Sequence, residues 1–265
     1  MKYKIKYPKQ KKETSGGAYW QGADFNEHLI LTEYQTTYHY LLKNYPPPQK
    51  VLEAGCGIGR WVIPLAQNKY DVTGIELEEE ALNIINQNYT KDNITLVHGD
   101  IFKMPFLDQT FDIVISLGVL EHFEDPLVQQ KAISEHFRVF KDDGMFLITV
   151  PFVSLIRLLF HFPYLILQTF VRKIKKKTEY FSEYRYSRRA FEKVIKKANL
   201  KVVEIVYDDL LPPYNFGLMD NPVRKLFKDN ETAYKIHKFG AYMFKLLWKI
   251  HPRLVSGGIG FVCQK

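Results

Sequence analysis

The sequence predicts an α/β protein built on a doubly wound parallel sheet, and three observations carry that reading. Apolar runs of strand character alternate with helical patterns through residues 50 to 151. The first strand, Val51-Leu52-Glu53-Ala54, runs into Gly55-Cys56-Gly57-Ile58-Gly59-Arg60, where three alternating glycines make a tight turn ahead of a helix. About twenty residues on, a second strand, Val72-Thr73-Gly74-Ile75-Glu76, ends in an acid, as the second strand of a nucleoside-binding βαβ unit does.

The elements follow in order. The first twelve residues hold Lys2, Lys4, Lys6, Lys9, Lys11 and Lys12 and lack the apolar centre of a signal peptide. They supply six of the eight net positive charges, so the basic balance is a property of the tail and predicts no nucleic-acid face. Residues 1–18 read as a solvated, mobile basic arm, with binding to anionic lipid as the other reading. Leu29, Ile30, Tyr34, Tyr38, Leu41 and Leu42 fall at helical spacing, and Pro46-Pro47-Pro48 ends that run. Tyr19, Trp20 and Phe25 just before it could fold over a ligand or simply pack.

After the glycine turn, Trp61, Leu65 and Ala66 mark a helix whose Pro64 is tolerated only near its first turn. Ala81, Leu82, Ile84 and Ile85 mark the next helix, Ile94–His98 a third strand and Phe111–Ser116 a fourth. A helix over Asp125–Phe140 leads to the strand Gly144–Val150, which Pro151 stops. Ser187 is placed to cap a helix with Phe191, Val194, Ile195 and Ala198 on one face, and Val202–Val206 follows as a strand. Two cysteines, Cys56 and Cys263, offer neither a disulfide framework nor metal-ligand spacing, which fits a reducing cytoplasm.

With 46% hydrophobic residues in 265, the chain can bury one sizeable core with additions. Glycines at 55, 57 and 59 let the backbone turn and a ligand approach, and the helix behind them offers free N–H groups. Glu76 stands where it would accept hydrogen bonds from two ribose hydroxyls. The third strand runs into Gly99-Asp100-Ile101 and the fourth into Leu117-Gly118-Val119-Leu120-Glu121-His122. Taken together, residues 50 to 151 resemble the class I S-adenosylmethionine-dependent methyltransferases, in particular the type 11 group.

The resemblance implies a seven-stranded, Rossmann-like sheet whose antiparallel last strand is Gly258–Cys263, with S-adenosylmethionine as cofactor. It implies that Glu53 and the turn Gly55, Cys56, Gly57 and Gly59 hold the methionine portion, and that the Leu117 carbonyl receives the methionine ammonium. It assigns Glu76 to the ribose, Asp100 and Ile101 to the adenine edge and Leu77 to the adenine face. A nicotinamide-dependent oxidoreductase is the rival, but its Gly-x-Gly-x-x-Gly spacing would place a glycine at Arg60. A cofactor-binding, membrane-associated protein without turnover is a third reading, because these motifs report binding rather than chemistry.

The implied reaction is in-line displacement at a sulfonium methyl by an O, N or C nucleophile, for which alignment and exclusion of water suffice. His122, just past the fourth strand, is the candidate base; it could equally serve a structural hydrogen bond. Quinone-biosynthesis O-methyltransferases are similar here but carry an additional acid for a metal ion where this chain has Gly118, so no metal site is assigned.

Two insertions interrupt the sheet. Residues 152–186 hold the apolar run Phe152–Val171 followed by Arg172, Lys173, Lys175, Lys176 and Lys177. Arg157, His161 and Pro163 argue against a simple transmembrane span and for a pair of short interfacial helices. Residues 210–255 set Lys235, Lys238, Lys245 and Lys249 beside a broad apolar surface that includes Phe239, Phe244, Leu246, Trp248 and Ile250. The resulting organisation is a basic tail over 1–18, a cofactor half over 19–151, an insertion over 152–186, the rest of the sheet over 187–209 and 256–265, and a cap over 210–255.

Both insertions leave from carboxyl ends of strands and are expected to meet as a roof over the substrate side. An apolar, lysine-rimmed roof suits a hydrophobic or lipid-linked acceptor and peripheral contact with the cytoplasmic face of a membrane; a plain hydrophobic lid or a dimer interface is the other reading. Leu211-Pro212-Pro213-Tyr214 mimics a nucleic-acid amino-methyltransferase motif, but Leu211 cannot accept a hydrogen bond from an amino group and the stretch follows the wrong strand.

Overall fold

The computed structural model describes residues 1–8, 25–89, 91–175, 179–219, 224–228 and 234–265. Lys9, Lys11, Lys12, Tyr19 and Trp20 lie outside the described residues. The strands are β1 (Lys2–Pro8), β2 (Lys50–Ala54), β3 (Asp71–Glu76), β4 (Ile94–His98), β5 (Phe111–Leu117), β6 (Phe140–Pro151), β7 (Glu179–Tyr186), β8 (Lys201–Asp208) and β9 (Gly258–Gln264). The principal helices are α1 (Phe25–Glu33), α2 (Thr36–Asn44), α3 (Val62–Gln67), α4 (Glu79–Asn88), α5 (Pro126–Val139), α6 (Phe162–Ile174), α7 (Arg188–Lys197) and α8 (Lys238–Ile250).

Seven strands form one sheet in the order β4-β3-β2-β5-β6-β9-β8. Neighbours from β4 to β6 pair parallel, and β9 runs antiparallel to both β6 and β8. This is the Rossmann-like methyltransferase sheet with its reversed last strand. The chain winds outward from β2 to β4, then returns to start β5 on the other side of β2. The loops after β2 and β5 therefore diverge and leave a crevice between them. Central strands are buried on both faces, as the Val51–Ala54 and Ile113–Ser116 runs require.

Two apolar layers cover the sheet. One includes Leu52, Val114, Ile133, Phe146, Phe191 and Phe261; the other includes Val51, Trp61, Leu65, Ile85, Ile115 and Val262. Phe25 packs against the second layer. Within the first, His136 is buried, its Nδ1–H donates to the Ala132 carbonyl at 2.6 Å, and its ring stacks on Phe146. Burial holds this imidazole down to about 4. Below the ordinary histidine range the unfolded chain takes up a proton that the folded chain refuses. Stability is therefore expected to fall as pH drops from about 6.5 toward 4, by about 3 kcal/mol from this one group. Denaturant titrations of wild type and His136→Phe across that range would measure the difference; equal pH slopes would remove His136 from the account.

The reading of a mobile basic arm is corrected over residues 2–8. Lys2–Pro8 is a strand, paired antiparallel with Glu179–Tyr186 in a separate two-stranded sheet. Ile5 is buried, Lys2 lies over the Tyr184 ring and Lys4 bonds Glu124 at 2.7 Å. Alternation of lysine with Tyr3 and Ile5 gives this segment an apolar face on which Tyr3 packs against Phe162, while β7 pairs along its edge, and together these outweigh the tendency of its charges to solvate it.

The first insertion is corrected as well. In place of two short helices there is one continuous helical run ending at Ile174, with a π turn over Arg157–His161. The wide turn lets Pro163, which lacks an N–H, follow without breaking the run, and it turns Arg157 and His161 inward, where both are buried. No helix among the described residues is long and apolar enough to cross a membrane.

The insertions meet. Ile156 packs on a satellite core of Leu218, Ile236, Phe244 and Val255, with Leu247 and Trp248 against it. Asp209, at the end of β8, accepts backbone N–H bonds from Leu210, Phe216, Gly217 and Gly257, which ties the second insertion to the turn before β9. Burial pushes its carboxyl up to about 7. Ser187 stands at the head of α7, but its Oγ accepts from the Met1 amine rather than from the helix.

Candidate active site

The site begins where β2 ends. Gly55, Gly57 and Gly59 all have positive φ, at 78°, 52° and 80°. A Cβ on Gly55 would lie 2.7 Å from Val119 Cγ2, so that position excludes a side chain by conformation and by space alike. The Gly55 and Cys56 N–H groups both donate to the Ile75 carbonyl, which folds the turn back onto β3. Cys56 is buried with its sulfur against Gly74, and burial raises its thiol well above the usual range. Any part it has in binding runs through its backbone.

Glu53 is buried and its Oε2 accepts the Val62 N–H at 2.9 Å, so it caps α3 from within the wall of the crevice. Burial pushes its carboxyl up to about 8.

Glu76 terminates β3 and binds the turn directly. Its Oε2 accepts the Gly57 N–H at 2.9 Å, and its Oε1 accepts from the Leu77 and Glu78 N–H groups. The Gly99 N–H donates to the Glu76 carbonyl and His98 Nε2–H donates to the Leu77 carbonyl, which clamps the β4 turn beside the acid. Asp100 is exposed there and Ile101 is nearly buried. Leu77 is 61% exposed, an apolar side chain left at the rim where a flat apolar ring would cover it. These four residues form one rim of the site.

The other rim follows β5. Leu117 leads to Gly118 at φ 68°, and the chain then makes a single 3₁₀ turn over Leu120–His122. That turn separates two neighbours. His122 is directed away: its Nδ1–H donates to the Ser182 carbonyl at 2.8 Å, and the ring does not line the cavity, so the structure does not bring this predicted base to the site. Glu121 is only 2% exposed and does line it. Its Oε1 lies 3.5 Å from the point a Cβ on Gly118 would occupy, and its Oε2 has no hydrogen-bond partner among the described residues. Burial, with Glu183 adding to it, holds this carboxyl well above the usual range.

Against the glycine turn and the β5 rim lies a cavity of about 640 Å³. Gly55, Cys56, Gly57, Glu53 and Leu117 line it, whereas Gly59, Glu76, Leu77, Asp100 and Ile101 do not. The cavity is thus bounded by the glycine turn and the β5 rim, and the rim of Glu76, Leu77, Asp100 and Ile101 lies outside it. Its far walls come from both insertions: Arg157, Glu183 and Arg185 from the first, Phe216, Arg224 and Tyr234 from the second. Both insertions thus reach the cavity, but the walls they supply are mainly charged and polar rather than the apolar, lysine-rimmed roof expected.

Several wall residues escaped the sequence reading. Gln35 bridges Asp208 at 2.7 Å and accepts from Trp61 Nε1 and Arg60, and Arg60 stands over the Phe216 ring. Arg185 donates to His161 Nδ1 and pairs with Glu183, while Arg157 donates to the Phe152 and Gly257 carbonyls. Asp208, at the carboxyl end of β8, could have been suspected from sheet geometry alone. Among the described residues no group of three or more His, Cys, Asp or Glu could hold a metal ion.

The residues fit the cofactor that the sequence implied. A glycine cradle, an acid at the end of the adjacent strand, an exposed leucine beside it and a cavity against the glycine turn all converge on one crevice. An open, doubly wound sheet with that crevice at its switch point defines a nucleoside-binding α/β protein of the methyltransferase class. Residues 52–148 match the model of the family described as a methyltransferase domain. This part of the chain is a class I S-adenosylmethionine-dependent methyltransferase domain, and S-adenosylmethionine is its cofactor.

Relatives agree over the same stretch. The Staphylococcus aureus demethylmenaquinone methyltransferase is 37% identical over 100 residues, which is 36% of this chain and 40% of that protein. Matches to curated relatives span 37% to 50% of those proteins' lengths. Solved structures extend the likeness to the whole fold. A chain of the Haloferax volcanii complex between the Trm112 methyltransferase activator and a methyltransferase has a TM-score of 0.62 at 16% identity, covering 94% of this chain and 96% of that one. A methyltransferase from Methanosarcina mazei has a TM-score of 0.56 at 17% identity, covering 85% and 96%.

Proposed function

We propose that this chain transfers a methyl group from S-adenosylmethionine to an oxygen, nitrogen or carbon nucleophile on a hydrophobic or lipid-linked acceptor, working at the cytoplasmic face of a membrane. The observation that carries methyl transfer is the shared cavity, and the apolar acceptor rests on the exposed apolar residues of both insertions. The glycine turn, Leu117 and side chains of both insertions line one volume, so acceptor and methionine end would be held together there. The staphylococcal relative acts, by its name, on demethylmenaquinone, which is consistent with an apolar acceptor.

When bound, S-adenosylmethionine supplies an electrophilic methyl on a positive sulfur. The chain's own residues do the rest. The Gly55–Gly59 turn and the Leu117 carbonyl would hold the methionine portion, Glu76 the ribose, and Leu77, Asp100 and Ile101 the adenine. Glu53 keeps the turn and α3 in register. Glu121, rather than His122, is the group set to take a proton from the acceptor, since it lines the cavity and its buried Oε2 has no hydrogen-bond partner among the described residues.

The test is titration of the purified chain with S-adenosylmethionine, S-adenosylhomocysteine and NAD, followed by incubation with methyl-labelled cofactor and a membrane extract. Binding of the two sulfur nucleosides and label in an extractable lipid support the reading. Binding without any labelled product would make the chain a cofactor-binding protein, and NAD binding in their place would revive the oxidoreductase.

A further inference from the structure

The two insertions carry an apolar surface on their outer faces that the cavity does not use. None of the thirteen residues of α6 is buried. Ile166, Leu167, Phe170 and Ile174 fall within about 100° of helical arc, and that arc faces solvent: Phe170 is 62% and Ile174 66% exposed. An ordinary surface helix turns its apolar arc inward, so α6 is inverted. The turn leading into it exposes Leu155, Leu159 and Phe160 as well.

The α8 helix repeats the arrangement. It turns Phe244 into the satellite core and leaves Phe239, Tyr242, Leu246 and Ile250 on the outside, within about 80° of arc. Lys238, Lys245 and Lys249 flank that row, and Lys173 and Lys175 flank the end of α6. Neither helix contains an Asp or Glu, and residues 152–175 contain none either.

We infer that the outer faces of α6 and α8 dock the protein on an anionic lipid bilayer. Exposed aromatic and aliphatic side chains gathered on one arc of each helix mark surfaces that meet something apolar. The lysine edges with no acid among them narrow the partner to one that is apolar and negative together, which a bilayer with anionic headgroups is. A second copy in a two-fold contact would instead set this acid-free face against itself, lysines included. The inference gives the proposed membrane location its surface, and it stands whether or not the chain transfers methyl groups. The delivery of an acceptor from that bilayer into the cavity rests on the proposed function.

The experiment is flotation of the full chain with phosphatidylcholine vesicles, with and without phosphatidylglycerol, alongside light scattering after gel filtration. Binding to the anionic vesicles is expected, with Ile166→Glu/Phe170→Glu reducing it at least about tenfold and Lys245→Glu/Lys249→Glu reducing it on anionic vesicles only. All four sites are exterior, so melting temperature and S-adenosylmethionine affinity should stay at wild-type values. No flotation with either vesicle, or flotation that ignores both variants, overturns the inference. A dimer that Phe170→Glu dissociates, without vesicle binding, overturns it in favour of self-association. Failure to bind S-adenosylmethionine would sink the proposed function and leave the vesicle result unaffected.

Discussion

Glu121→Gln is expected to lower kcat for methyl transfer by about 10² to 10⁴ while leaving S-adenosylmethionine affinity within about twofold. The substitution keeps the size of the side chain and its place beside Gly118, and removes only the capacity to take a proton. Because burial holds this carboxyl above the usual range, the wild-type rate should rise with pH as the acid ionises, at a pH higher than an exposed glutamate would give. The rising limb should vanish in Glu121→Gln. His122→Ala, whose ring is occupied by the Ser182 carbonyl, should change kcat far less. A His122 variant that loses the rate while Glu121→Gln keeps it would return the proton to the histidine. Measuring kcat against pH in the three proteins decides between them.

Glu76→Ala is expected to weaken S-adenosylmethionine binding at least about tenfold, because charge-assisted hydrogen bonds to the ribose are lost together. The structure adds a second loss. Glu76 holds the Gly57, Leu77 and Glu78 N–H groups, so without the carboxylate the glycine turn and the start of the following loop lose their common anchor. Glu76→Gln, which retains an acceptor oxygen, should recover part of the affinity. Isothermal titration of the three proteins reads this directly. Unchanged affinity in Glu76→Ala would mean that the nucleoside lies elsewhere, and would detach the glycine turn from it.

Much of this was legible from residues alone, for a definable reason. A glycine turn, an acid about twenty residues on and strands alternating with helices are local signals, each set by spacing along the chain. They sufficed for the parallel sheet and for placing the Gly55–Gly59 turn beside the strand that ends in Glu76. The strand character of Lys2–Pro8 was legible too, in its alternation of lysine with aromatic and aliphatic residues, but a count of its charges hid it. Its partner, Glu179–Tyr186, carries aromatic residues at 180, 181, 184 and 186 and lies inside an insertion, where the sequence offers no flanking sheet pattern.

What only the tertiary structure decided concerns direction and meeting. Glu121 and His122 are adjacent, and nothing in their spacing says which one faces the crevice; the positive φ of Gly118 and the single 3₁₀ turn after it aim Glu121 inward and His122 at β7. The cavity wall draws Gln35, Arg60, Arg157, Arg185, Asp208 and Phe216 from segments far apart in the chain, joined through the sheet and the two insertions. The same holds for the outward arcs of α6 and α8. Sequence periodicity determines that a helix has an apolar side, whereas the packing of Ile156 and Phe244 beneath these helices determines which side is left for another surface.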